Sequence, residues 1–279
     1  MRVYISADME GITGLVDAED VQPSGRDYEL GRLMMTEDVN AAISGALSGG
    51  ATDVLVNDAH GPMRNLFPGE LHPRARLIKG RPKPMSMLEG LEADFGIVLC
   101  VGFHARAGAP GVMSHSFMGH EIEDMWLDGR PVGEIGLLHA AAAAIGVPVG
   151  LLTGDDAACA EMTEWDSGVT TVAVKTARDR FAAELRPPAE SRAAIQAAAH
   201  SAVAGLLASP REPDLAQKPK ALAVRWQSAA VATHLLGIPG VTRTDSRTVE
   251  VTARMPDLYR LLGIFLRVAT TLTNQAPYC

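Results

Sequence analysis

Short apolar runs alternate with longer amphipathic stretches over most of the chain. The apolar runs cover residues 2–7, 52–56, 75–78, 96–102, 147–153 and 169–174. Their length and their Val, Ile and Leu content predict buried strands. Apolar residues at helical spacing predict helices over residues 28–48, 85–91, 134–145 and 189–207. Strands that alternate with helices are typical of an α/β fold, a mostly parallel sheet flanked by helices.

A segment rich in proline and charge, residues 209–219, separates the C-terminal part of the chain from the rest. Beyond it we expect two strands and a final amphipathic helix, at residues 221–226, 248–254 and 256–273. We therefore predict a large α/β region over residues 1–208 and a smaller C-terminal α+β region over 220–279. The smaller region either folds separately or packs as part of the same domain.

Residues 126–132 contain an Asp-Gly pair between two short extended pieces. Asp128-Gly129 is the kind of dipeptide that two-residue hairpin turns favour. We expect a hairpin here, directly before Glu134 at the start of an alanine-rich helix.

The composition argues against several classes of protein. The formal charge is −8 and no basic stripe is present, so we expect no nucleic-acid partner. The three widely spaced cysteines, Cys100, Cys159 and Cys279, indicate neither a disulfide framework nor a thiolate zinc site. The sequence shows neither the pattern of a signal peptide nor an apolar stretch long enough to span a bilayer. We therefore expect a cytoplasmic protein without a membrane partner.

Two carboxylates follow the first predicted strand. Asp8 and Glu10 are two residues apart, so in an extended chain both side chains point to the same side. Their charges repel each other unless a cation lies between them. Gly11 lets the backbone leave the strand at an angle that a residue with a Cβ resists. Taken alone, an Asp-x-Glu pair of this kind is usually a solvated Asp and Glu in a loop.

Two histidines follow later strands. His60 comes after the second strand and His104 after the strand at residues 96–102, at the sheet edge where open α/β folds bind ligands. With Glu134 and the first pair they make three carboxylates and two imidazoles. This set suits zinc, manganese, cobalt or iron better than calcium or magnesium. Five ligands are one more than a single closed tetrahedral zinc site needs. With Asp8 as a bridge, the same residues would fit two metal ions, as in two-metal hydrolases.

Each of these residues also has an ordinary structural interpretation. His60 fits a turn residue, His104 fits a core imidazole, and Glu134 fits an acid in the first turn of a helix. His115, between two serines in a glycine-containing loop, could present an imidazole to a cleft or lie on the surface. Arg106 could hold a substrate carboxylate or form a surface ion pair. The candidates for orienting the ligand imidazoles are Asn57, Asp58 and Asp155.

Five motifs in order resemble those of the zinc-dependent D-aminopeptidase family of the dipeptide-operon (DppA) type. They are Asp8-Met9-Glu10-Gly11, Val56-Asn57-Asp58-Ala59-His60, Gly102-Phe103-His104-Ala105-Arg106, Pro110-Gly111-Val112-Met113-Ser114-His115-Ser116 and Arg130-Pro131-Val132-Gly133-Glu134. The resemblance implies two zinc ions per subunit, held by Asp8, Glu10, His60, His104 and Glu134. It also implies His115 as a catalytic nucleophile, hydrolysis of short D-amino-acid peptides such as D-Ala-D-Ala, and a ring-shaped homodecamer.

Some points stay open at this level. The chemistry of His115 alone fits a proton shuttle to the leaving amine as well as a nucleophile. Residues 117–125 depart from the family pattern by a slightly longer, acidic loop, which leaves the preference for D over L residues open; we expect His120 in this loop at the surface. Two other functions are compatible with the same residues. One is a di-metal amidase or phosphoesterase, and the other is a non-catalytic peptide-binding component of dipeptide uptake.

Overall fold

The computed structural model of the protein describes residues 1–209 and 218–273. Its strands are β1 (Arg2–Ala7), β2 (Asp53–Asp58), β3 (Ala75–Ile78), β4 (Ile97–Phe103), β5 (Ile122–Leu127), β6 (Arg130–Pro131), β7 (Val149–Asp155), β8 (Thr170–Asp179), β9 (Ala182–Leu185), β10 (Lys220–Trp226), β11 (Thr242–Arg243) and β12 (Thr248–Ala253). Its α-helices are α1 (Ala18–Val21), α2 (Tyr28–Ser48), α3 (Glu134–Ile145), α4 (Asp156–Trp165), α5 (Pro188–Ala208), α6 (Ala229–Leu235) and α7 (Met255–Thr273).

Seven strands form the main sheet, in the order β3-β2-β1-β4-β7-β8-β9. β1 lies parallel to β2 on one side and to β4 on the other, and only the β8–β9 pairing in this sheet is antiparallel. The chain runs outward from β1 through β2 to β3 and then returns to the opposite side of β1 with β4. The strand order therefore reverses between β1 and β4, which is where open α/β sheets bind ligands. The predicted α/β fold is confirmed.

The two faces of the main sheet are covered by different helices. Val3 and Ile5 of β1 pack in the layer formed with α2 and α5, whereas Tyr4 faces the opposite layer, which contains α3 and α7. This alternation follows from the two-residue period of a strand. Because both faces are covered, the interior strands are mostly apolar, as the sequence pattern indicated, and their few buried polar residues lie toward the carboxyl ends.

A second sheet joins distant parts of the chain, in the order β11-β12-β10-β5-β6. The β5–β6 hairpin turns at Asp128-Gly129, both with positive φ, so the predicted hairpin is confirmed. β10, from the C-terminal region, pairs with β5, and buried Val224 lies opposite buried Met125. One sheet therefore contains strands from both sides of the predicted boundary.

Several elements differ from the predicted ones. α4 was missed because it begins directly at the end of β7, where Asp155 caps it, so that no loop separates strand from helix. β9 and α6 were also missed, since each is short. The helix predicted at residues 85–91 is reduced to a 3-10 turn at Ser86–Leu88. Pro84 lies before this turn, and Gly90 follows it with a φ of 82° that a helix does not allow.

Three further predictions concern the linker, the cysteines and membrane-spanning helices. Residues 210–217 of the predicted linker, and Cys279, lie outside the described residues. Cys100 and Cys159 are free thiols. None of the helices that the structure describes is long and apolar enough to cross a bilayer.

Candidate metal centre

The carboxyl ends of three neighbouring strands bring the predicted ligands together. Asp8 and Glu10 follow β1, His60 follows β2, and His104 is the residue after the last residue of β4. Because β1 lies between β2 and β4, the two histidines approach the carboxylate pair from opposite sides. All of these side chains except that of His60 are buried, and that of His60 is only 11% exposed.

Two glycines allow the segment after β1 to lie directly on the end of β4. Gly11 donates its N–H to the carbonyl of Gly102 at 2.8 Å. A Cβ on Gly11 would lie 1.9 Å from the carbonyl oxygen of Phe103, and one on Gly102 would lie 2.3 Å from that of Asp8. The predicted reason for Gly11 was therefore wrong, because this position requires close backbone approach and its φ is not in the left-handed region.

A buried lysine also holds the segment after β1. Lys175, on β8, is 1% exposed and donates hydrogen bonds to the carbonyls of Glu10 at 2.6 Å, Ile12 at 3.0 Å and Leu15. Burial is the largest influence on this amine and lowers its pKa to about 8. The sequence analysis missed Lys175, whose only signal is a lysine directly after the apolar run of a strand.

Glu134 reaches the site from the first turn of α3. Its Oε1 accepts a hydrogen bond from the backbone N–H of Phe117 at 2.6 Å, which ties the helix to the loop that carries His115. Gly133 precedes it, and a Cβ there would lie 2.5 Å from the Cβ of Arg106. The start of α3 can therefore approach the end of β4 only with glycine at this position.

The donor atoms of the five predicted ligands form two sets that share Asp8, and a third set combines Glu10 and His104 with His115. Oδ1 of Asp8 lies 3.3 Å from Nδ1 of His60, which is also 3.0 Å from Oε2 of Glu10. Its Oδ2 lies 3.5 Å from Nε2 of His104, which is also 3.3 Å from Oε1 of Glu134. Each set of three donor atoms fits within 4.8 Å. The five predicted ligands are thus together, and the two oxygens of one carboxylate point to different groups.

Main-chain carbonyls orient all three imidazoles. A carbonyl can only accept, so the ring nitrogen facing it carries the proton: His60 Nε2 donates to Val21, His104 Nδ1 to Ala105, and His115 Nδ1 to Met113, at 2.9, 3.0 and 2.8 Å. The opposite nitrogen of each ring faces the carboxylates and can offer its lone pair to a metal ion. This is the orientation that a metal-binding histidine needs.

The side chains predicted to orient the imidazoles form hydrogen bonds with other groups instead. Asn57 accepts from Lys83, and Asp58 accepts from the backbone N–H groups of Asn65 and Leu66. Asp155 accepts from Val112 and Ala158, and so joins the His115 loop to α4. None of these three candidates hydrogen-bonds an imidazole, because backbone carbonyls already occupy that role.

The electrostatics of the site fit cations. Burial, and then the charge of Glu10, raises the pKa of Asp8 to about 7. Burial alone would lower the pKa of His60 and of His104, but the facing carboxylates outweigh it and raise both pKa values well above the ordinary range. Asp8 Oδ2 is buried and accepts no hydrogen bond from the described residues. Such an atom is costly unless a cation meets it, so the donor set fits a metal centre.

His115 lies beside the two donor sets. Its ring stacks on that of His104, with centroids 4.1 Å apart and planes 9° apart. Its Nε2 is 3.9 Å from Oε1 of Glu10 and from Oε1 of Glu134. Burial, and then the charge of His104, lowers the pKa of His115, which favours a neutral ring with its lone pair facing the site.

These groups line a cavity of about 260 Å³, called here the central cavity, whose walls include the five ligand candidates and His115. Arg106 lines neither this cavity nor the two beside it, and its guanidinium donates to the carbonyl of Ala107. Arg81 lines the central cavity in its place. His120 is exposed, as predicted, on the rim of a neighbouring cavity.

Backbone strain gathers around these cavities. Four non-glycine residues that line them have φ between 45° and 56°, namely Met63, Ser86, Met113 and Phe117. Such conformations cost energy and concentrate at functional sites.

Comparisons with known proteins identify the family of the chain. The family model of peptidase family M55, described as D-aminopeptidase, matches residues 1–264. A D-aminopeptidase from Bacillus subtilis (strain 168) is 47% identical over 191 residues, which is 68% of this chain and 69% of the relative. A solved structure, the Zn-dependent D-aminopeptidase DppA from Bacillus subtilis, a self-compartmentalizing protease, superposes with a TM-score of 0.92 at 37% identity over 100% of both chains. The chain therefore belongs to the D-aminopeptidase family.

Proposed function

We propose that this protein is a zinc-dependent aminopeptidase that removes N-terminal D-residues from short peptides, D-Ala-D-Ala among them. The observation that carries the proposal is the division of the Asp8 carboxylate between two donor sets, His60 with Glu10 and His104 with Glu134. A carboxylate shared in this way is the usual bridge of a two-metal hydrolase. Family membership and the described zinc dependence of the solved relative support zinc as the metal.

The ligand assignment follows from the two donor sets. Asp8, Glu10 and His60 would hold one ion, and Asp8, His104 and Glu134 the other. Each set supplies three protein donors, the number that a catalytic zinc with one open position would need. When bound, the two ions polarise the scissile carbonyl and lower the pKa of water. Three carboxylates against two divalent cations leave the centre with a net positive charge.

His115 is the residue that we assign to proton transfer. Its Nδ1–H is committed to the Met113 carbonyl, so the free Nε2 can accept a proton from the attacking group and pass it to the leaving amine. Burial, and then the charge of His104, lowers the pKa of His115, which favours an unprotonated Nε2 before the reaction. The ring stack on His104 keeps the imidazole plane fixed beside the donor sets.

The other candidate functions have weaker support. A phosphoesterase needs several cations around its metals, whereas Arg81 alone supplies a Lys or Arg side chain among the residues that line the central cavity. A non-catalytic binding component has no use for a neutral histidine beside the metal ligands. The family comparison points to peptide hydrolysis rather than to either alternative.

Two further properties belong to the same proposal. We infer a homo-oligomer, a decamer by the family resemblance, which is supported by the solved relative's description as a self-compartmentalizing protease. Light scattering on the purified chain measures this mass directly. We infer a cytoplasmic location because Cys100 and Cys159 are free thiols, as expected of a reducing compartment.

Matched stereoisomers test the function. We expect the zinc-loaded protein to hydrolyse D-Ala-D-Ala and D-alanyl amides much faster than their L counterparts, and to lose this activity after chelation. Turnover of the L substrates alone would contradict the D specificity. Bound zinc without turnover of either isomer would reject the proposed activity and keep the metal centre.

A further inference from the structure

The central cavity borders a second cavity of about 600 Å³, called here the outer cavity. The two share the lining residues Met63, Arg81, Ser86, Leu266 and Thr270. A ligand bound at the donor sets therefore lies next to the outer cavity.

The walls of the outer cavity carry positive charge. Arg81, Lys83 and Arg267 line it, and no Asp or Glu does so among the described residues. The chain as a whole has a formal charge of −8, so this concentration of cations is a local departure from the average. A cationic wall next to a catalytic centre favours an anionic part of the substrate.

Arg81 is the one cation of the three that also faces the central cavity. Its Nη1 donates to the carbonyl of Gly61 at 3.3 Å, beside the ligand candidate His60. Within the described residues it has no carboxylate partner. Lys83, in contrast, is buried and already donates to the side chain of Asn57 and the carbonyl of Asp58. Arg81 is therefore free to bind an anion.

We propose that Arg81 binds the C-terminal carboxylate of a short peptide while the N-terminal residue lies at the metal centre. The inference rests on the proposed aminopeptidase function and names its preferred substrate class, peptides of a few residues with a free C-terminus. In a dipeptide this carboxylate lies about one residue, ~3.5 Å, beyond the scissile bond. A guanidinium matches a carboxylate with two parallel hydrogen bonds.

The competing position for this role is Arg106, which the sequence pattern suggested. Arg106 lines none of the three cavities around the site, and its Nη1 donates to the carbonyl of Ala107. The geometry favours Arg81, which comes from the segment between β3 and β4 and lies far from the recognised motifs in sequence.

The test compares D-Ala-D-Ala with D-Ala-D-Ala amide, which lacks only the terminal charge. With zinc-loaded wild-type enzyme we expect the lower KM for the free acid. The variant Arg81→Gln should raise KM for the free acid by about 10- to 100-fold, the effect expected of a lost hydrogen-bonded charge pair, and leave KM for the amide and the zinc content unchanged. Arg81→Lys should keep part of the difference in KM between the free acid and the amide. Arg74→Gln, an exposed arginine outside the three cavities, is the matched control.

Each other outcome has a defined meaning. Equal KM values of the wild-type enzyme for acid and amide would overturn the carboxylate proposal, and the turnover itself would keep the proposed function. An equal rise in KM for the free acid and the amide in Arg81→Gln would also overturn the proposal, because the effect of Arg81 would then not depend on the substrate carboxylate. If neither substrate is hydrolysed, the proposed function fails and the carboxylate proposal fails with it.

Discussion

Lys175 donates a hydrogen bond from its buried amine to the backbone carbonyl of Glu10, across 2.6 Å. The same amine also holds the carbonyls of Ile12 and Leu15, so one side chain fixes the segment that carries two ligand candidates. In Lys175→Met these buried carbonyls lose their donor. We expect the free energy of unfolding of the metal-free protein to fall by about 2–4 kcal/mol, since each unpaired group costs ~1–3 kcal/mol and the cost of burying a cation is recovered.

Urea unfolding of the metal-free protein measures this loss, and zinc titration measures the affinity of the loaded form. We expect weaker zinc binding as well, because Glu10 is no longer held in place. Lys218→Met, an exposed lysine before β10, is the control and should change neither quantity. A Lys175→Met variant as stable as the wild-type protein would show that its three hydrogen bonds are energetically neutral.

His115→Ala separates catalysis from metal binding. We expect kcat to fall by about 10²- to 10⁴-fold, the range for loss of a general acid–base group. The zinc content should stay at the wild-type level, because the two donor sets assigned to the ions do not include His115. Rate measurements and metal analysis of the same sample check both expectations. His234→Ala, on the exposed face of α6, is the control and should change neither kcat nor zinc content. Loss of zinc together with activity would instead make His115 a ligand.

Asp155 connects the loop of His115 to the scaffold. Its Oδ2 accepts from the backbone N–H of Val112 at 2.6 Å, and its Oδ1 caps α4 through Ala158 at 2.8 Å. Asp155→Ala should lower the free energy of unfolding by about 2–4 kcal/mol, the sum of a lost cap and a buried unpaired N–H. It should also lower kcat, because the loop is released. Glu164→Ala, at an exposed position of α4, is the control and should cost less than about 1 kcal/mol.

Lys83 gives stability a defined pH dependence. Burial lowers the pKa of Lys83 to about 8, whereas in the unfolded chain the pKa is near 10.5. Between these values the unfolded chain binds more protons than the folded protein, so the contribution of this group to stability rises with pH. The difference in unfolding free energy between wild type and Lys83→Met should therefore shift in favour of wild type from pH 7.5 to pH 9.5. A difference that stays constant over this range would contradict the lowered pKa.

The strand-end positions of the ligand candidates could be read from the sequence. Asp8, His60 and His104 each follow an apolar run, and parallel strands place their carboxyl ends at one edge. Which strands are neighbours could not be read in the same way, since it depends on the reversal of strand order around β1. The long fully buried strands were predicted best, because their pattern is set by burial alone.

The supporting contacts depended on the three-dimensional structure. The imidazoles are oriented by carbonyls of Val21, Ala105 and Met113, and a main-chain carbonyl has no signature in the sequence. Lys175 meets Glu10 across 165 positions of sequence, and Arg81 reaches the central cavity from an irregular segment. Contacts of this kind depend on how loops cross the sheet edge, which no local periodicity describes.

The measurement that tests the two-metal centre most directly is the number of zinc ions per chain in wild type and three ligand variants. We expect about two ions in the wild-type protein and about one each in His60→Ala and His104→Ala, because each histidine belongs to one donor set. Asp8→Ala should hold fewer ions than either, since Asp8 serves both sets. One zinc per wild-type chain, or an Asp8→Ala variant with the full wild-type content, would contradict the shared-carboxylate centre.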